Sequence, residues 1–111
     1  MRADWKNTMS HTHISRVRPV PEEWQGLSEA ENDAKSAAIY MAIERNGGEM
    51  KAVGVSPSAM NMASVIEYPD EASAQKAVAE IMALGTLEFI SIESLWDLGD
   101  WTAMLRAAQN A

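Results

Sequence analysis

The chain has 111 residues, sets 9 Lys and Arg against 16 Asp and Glu for a net charge of −7, and contains no cysteine. That length makes one domain with a core of its own. The missing cysteines exclude disulfides, thiolate metal sites and a cysteine nucleophile, and they fit a reducing compartment. The acidic balance argues against a nucleic-acid partner, which needs a basic stripe to neutralise phosphates, and against anionic membrane surfaces.

Apolar residues make up 47% of the chain and charged residues 23%, as in ordinary globular proteins. The opening MRADWKNTMS has no apolar signal core, and no run approaches the ~18 apolar residues of a membrane span. A soluble, cytoplasmic protein is therefore expected. Eight methionines are many for this length; they serve as core filler or line an adaptable apolar pocket.

Residues 1–10 read as a flexible N-terminus ahead of a single domain over 11–111. His11 to Val17 is the first strand, through Ile14, Val17 and Thr12, and Pro19 and Pro21 are expected to end it. A helical turn follows between Glu22 and Leu27, anchored by Trp24. Ser28 with Glu31 three residues later forms a capping box. The helix it opens runs to Asn46, with Ala30, Ala34, Ala37, Ala38 and Met41 as its expected packing face. Gly47-Gly48 stops it.

Two strands, Met50 to Val55 and Asn61 to Tyr68, are joined by Ser56-Pro57-Ser58-Ala59-Met60 as a hairpin. Asp70 caps a second helix at its positive end together with Glu71. Ala74, Ala77, Val78 and Ile81 are its buried stripe, and Gly85 ends it. The last strand, Thr86 to Leu95, is expected to place Leu87, Phe89, Ser91, Glu93 and Leu95 on one face. Glu88, Ile90, Ile92 and Ser94 take the other. A terminal helix from Asp100 to Gln109 carries Trp101, Met104 and Leu105; it covers a pocket mouth, docks on a partner subunit, or packs as a plain C-terminus. The order βαββαβ predicts an α+β, ferredoxin-like fold: a four-stranded antiparallel sheet with two helices on one face.

Gly47-Gly48-Glu49-Met50-Lys51, with Val65-Ile66-Glu67-Tyr68-Pro69-Asp70-Glu71 leading into an alanine-rich helix, resembles the GYD-domain proteins. More broadly it is similar to the dimeric α+β barrel superfamily with ferredoxin-like protomers. Ser58-Ala59-Met60-Asn61 stands where the Gly-Tyr-Asp signature of the GYD family falls. The superfamily resemblance implies a homodimer whose sheets face each other, with a pocket inside that barrel or between each sheet and its helices. Its members include cofactor-independent monooxygenases, isomerases, haem-handling proteins and many with no known activity.

His11 and His13 are the only histidines, and two positions apart on a strand they point to one side. They could join Glu88 or Glu93 as metal ligands, or act as a general base near neutral pH; otherwise they are a solvated strand edge. Glu67, Glu88 and Glu93 sit in strands, where they face solvent and blunt an edge or line a wet barrel interior. There is no glycine-rich phosphate loop and no G-x-S-x-G.

The expectation is a dimer holding a small hydrophobic or aromatic ligand, lined by Met50, Met60, Met62, Phe89 and Trp96, with no metal and no cofactor. The alternative is a cofactor-independent monooxygenase or isomerase with His11 or His13 as catalytic base. A structural dimer that modulates a partner protein is a third reading.

Overall fold

The computed structural model describes residues 11–95 and 98–110. The expected flexible N-terminus and the ligand candidate Trp96 lie outside the described residues. In chain order the elements are strand β1 (His11–Pro19), helices α1 (Pro21–Trp24) and α2 (Glu29–Arg45), strands β2 (Glu49–Ser56) and β3 (Asn61–Tyr68), helix α3 (Glu71–Leu84), strand β4 (Leu87–Leu95) and helix α4 (Leu98–Gln109). The sheet is antiparallel with strand order β2-β3-β1-β4. This is an α+β architecture consistent with a ferredoxin-like fold.

Local chemistry sets the helix ends. The Ser28 hydroxyl accepts from the Glu31 backbone at 3.1 Å, and the Glu31 carboxylate accepts from the Ser28 backbone at 2.9 Å. The Asp70 carboxylate accepts from the Ser73 backbone at 2.7 Å, and Gly85 closes α3 in the left-handed conformation at φ 72°. Gly48 answers a steric demand: a Cβ there would lie 2.6 Å from Ile43 Cγ2 and 2.7 Å from Tyr68 Cε1.

The core lies between the sheet and helices α2 and α3. Ile43, Ile66, Tyr68, Ala74, Ala77 and Ile81 are buried there, so α3 presents the expected stripe. Helix α2 does not. Its packing residues are Ile39, Ala42 and Ile43, while Ala30, Ala34, Ala37 and Met41 are exposed. Alanine buries too little area to orient a helix against isoleucine, so the bulkier side chains won. Arg45 Nε donates to Glu80 Oε1 at 2.9 Å and ties the helices together.

Three further expectations change. Strand β1 continues through Pro19, because β3 pairs only as far as Val17 and leaves that side without a ladder to break. Bulges interrupt the alternation of β4, opposite Arg16 and Val17, and of β2, between Met50 and Ala52. In β4, Leu87 and Phe89 face the helices, but so do Ile92 and Ser94 beyond the bulge. The expected single face from Leu87 to Leu95 is thus split.

The apolar strand residues are not shared evenly between the faces. Val53, Met62 and Ile92 lie on the helix side, and Val55, paired with Met62, joins them. The open face has Ile14, Ala63 and Val65 at its centre, by their pairing with Glu93, Arg16 and Ile14. Helix α4 buries none of its residues; Leu98, Trp101, Met104 and Leu105 are exposed. None of these α4 residues is among those that line the two pockets described below.

Candidate functional site

The sheet and its two long helices leave an apolar cavity of about 240 Å³ between them. Met50 and Val53 of β2, Met62 of β3 and Phe89 of β4 supply its sheet side, Ile39 and Tyr40 of α2 its helix side, and Trp24 an end. The β2 bulge is what brings Met50 and Val53 to the same wall, since three residues apart they would otherwise oppose each other. Trp24 is fixed by its indole N–H, which donates to the Thr86 carbonyl at 2.8 Å. Lys35 also lies 6.0 Å from the Trp24 ring centre and bonds Glu23, so the short helix α1 is held from both sides.

Of the expected ligand-lining residues, Met50, Met62 and Phe89 meet in this cavity. Met60 does not. It occupies the hairpin at φ 56° and is 76% exposed, because the turn needs a left-handed residue there and aims the side chain outward.

The histidines belong to a second cluster. His13 of β1 is 4% exposed, and its Nε2 lies 3.0 Å from Glu71 Oε2 in the first turn of α3. His11 Nδ1 is 3.5 Å from the same oxygen. Ser94 of β4 adds its hydroxyl, 3.3 Å from His13 Nε2 and 3.4 Å from Glu71 Oε1. The hydrogen bond from His13 holds the Glu71 carboxyl below its ordinary value, against the opposing effect of desolvation. The His13 ring also meets Tyr68 edge-on, with centroids 5.7 Å apart. Burial pushes the Tyr68 phenol up. Tyr68 lines the apolar cavity, so the cluster and the cavity share a wall.

The carboxylate that reaches the histidines is therefore Glu71, not Glu88 or Glu93. Those two lie on the open face: Glu88 accepts from Arg18 Nε at 3.2 Å, and Glu93 pairs across from Ile14. Glu67 shares that face, opposite Thr12 and 3.8 Å from Lys51. Among the described residues no group of three His, Cys, Asp or Glu is arranged to hold a metal ion, and no helix is long and apolar enough to cross a membrane.

Sequence reasoning missed Glu71, Ser94 and Ile39. A signal for Glu71 existed: antiparallel pairing sets His11 opposite Tyr68, so the chain turning at Pro69 returns over the histidines.

No family model matches the chain, and no curated protein matches it. Among solved structures it is similar to the crystal structure of a conserved protein from Methanosarcina mazei Go1, with a TM-score of 0.49 and 12% identity over 85% of this chain and 98% of that one.

Proposed function

We propose that this protein binds a small hydrophobic or aromatic molecule in the cavity beneath its helices, and that it works as a homodimer of the dimeric α+β barrel kind, joined through the open face of the sheet. The observation that carries the binding reading is the cavity of about 240 Å³ walled by Met50, Met62 and Phe89. Close packing leaves few voids larger than a water molecule, and methionine walls adapt to varied apolar shapes. The dimer reading draws on the apolar centre of the open face at Ile14, Ala63 and Val65, ringed by charges. A sheet face of that kind is more often covered than left in water.

Native mass spectrometry of the freshly purified protein tests both parts. A dimer carrying an organic molecule is the expected result. A bare monomer that also fails to take up an apolar dye would overturn the proposal.

A second reading is a cofactor-independent monooxygenase or isomerase in which His13 serves as the base. It is favoured by one observation, the contact of His13 with Tyr68 at the cavity wall. This reading requires turnover to disappear in His13→Ala while ligand binding and the fold persist.

A further inference from the structure

We propose that the cleft between α3 and β4 is a separate binding site for a small amine: an ammonium head on a short apolar tail. The cleft measures about 410 Å³. Val78 and Met82 of α3 and Ile92 of β4 give it apolar walls, and His13, Glu71 and Ser94 close one end. A ligand for such a cleft is polar at one end only. This site does not depend on the ligand proposed for the apolar cavity.

The Glu71 carboxylate decides the sign of the head group. A carboxylate only accepts, so the hydrogen between His13 and Glu71 sits on His13 Nε2. Ser94 then turns its own hydrogen toward Glu71 Oε1, at the long distance of 3.4 Å. Among the described residues Glu71 Oε1 has only that long contact, so one charged acceptor of the cleft is left short of donors. The Gln75 amide lines the same cleft without bonding it.

An ammonium offers three donors and no acceptor, which suits the charged Oε1 of Glu71. An anion would meet the Glu71 carboxylate head-on, since that carboxylate already serves both histidines from its other oxygen, Oε2. An alcohol of equal length could form hydrogen bonds but would gain nothing from the charge.

The test is an NMR titration of the full chain with hexylammonium, hexanol and hexanoate at neutral pH. Hexylammonium should bind about tenfold tighter than hexanol and shift the resonances of His13, Gln75 and Ser94, while hexanoate leaves them in place. Glu71→Gln should erase the preference for the cation. Ala79→Trp fills the cleft without touching the carboxylate and should abolish binding, which keeps the test decisive if the Glu71 variant does not fold. Met62→Gln damages the apolar cavity and should leave hexylammonium binding unchanged, so the two sites succeed or fail apart. Equal affinity for hexanol and hexylammonium, a cation preference surviving in Glu71→Gln, or shifts confined to Met62 and Phe89 would overturn the proposal.

Discussion

His13 Nε2 and Glu71 Oε2 stand 3.0 Å apart, so one charge-assisted hydrogen bond joins a central strand to the first turn of a helix. The bond from His13 is the largest influence lowering the Glu71 pKa, with desolvation opposing it and the charges of His13 and His11 assisting. A group whose folded pKa is depressed contributes stability above its unfolded pKa, and the contribution is lost as pH falls through the folded value. The gap in urea midpoint between wild type and Glu71→Gln should therefore be full at neutral pH. It should begin to close below the ordinary carboxyl value of 4.5. A gap that stays constant into acid would show that the charge on Glu71 is irrelevant to folding.

Ile66 and Ile81 are each 4% exposed, on the sheet and helix sides of the core. Truncating either to alanine should cost about 2–4 kcal/mol, from lost transfer energy plus the cavity left behind. Ile90, at the β4 bulge and 44% exposed, should cost less than about 1 kcal/mol. Chemical denaturation of the three variants checks the ranking, and a large loss at Ile90 would mean that its surface is covered in solution.

Gly48 and Gly85 test two different reasons for glycine. Gly85→Ala meets open space but keeps a left-handed backbone at φ 72°, at a cost of about 1–2 kcal/mol. Gly48→Ala forces a methyl to within 2.6 Å of Ile43 and 2.7 Å of Tyr68, both buried. That overpacking costs on the order of 1–3 kcal/mol and should broaden the Tyr68 ring resonances, whereas Gly85→Ala should leave them sharp.

Met60 and Met62 lie two residues apart, one exposed on the hairpin and one in the cavity. Fluorescence of an apolar dye should fall several-fold in Met62→Gln and stay unchanged in Met60→Gln. Equal loss in both would place the dye on the surface rather than in the cavity.

On the open face and among the described residues, Arg16 hydrogen-bonds only Asn61 Oδ1, at 3.3 Å, and Glu93 makes no ion pair. They sit on neighbouring strands, two residues out of step. In the proposed twofold dimer each is expected to meet its opposite on the other protomer. Arg16→Glu alone or Glu93→Arg alone should weaken dimerisation, and the double exchange should restore it. Analytical ultracentrifugation settles the matter: single variants that sediment like wild type would remove this contact from the interface.

The helix ends were legible because their rules are local. Ser28 with Glu31, Asp70 as an N-cap, and Gly85 as a stop each act within four residues, and all three stand where the local rules put them. The order of elements followed from them. The face of α2 was not legible, since a run of alanines gives almost no preference and Ile39 and Ile43 decide only once a sheet is there to receive them. Nor were the faces of β4, because alternation predicts a side only in the absence of a bulge. In the candidate site, Met50, Met62 and Phe89 could be named from their type, but the meeting of His13 with Glu71 depends on strand register, which no window of sequence contains. The cavity lies between the sheet and the helices of one chain, one of the two places that the superfamily resemblance implies for a pocket.

Ile90 is one residue more than β4 needs to match its neighbour. On either side of it the strand already keeps Leu87 and Phe89, then Ile92 and Ser94, beneath the helices. A descendant of this chain that lost Ile90 would regain simple alternation with every one of those side chains still inside. The bulge is thus a point at which an edge strand can change length without exchanging its interior for its exterior. Relatives in which β4 is one residue shorter are compatible with the same cavity and the same histidine cluster.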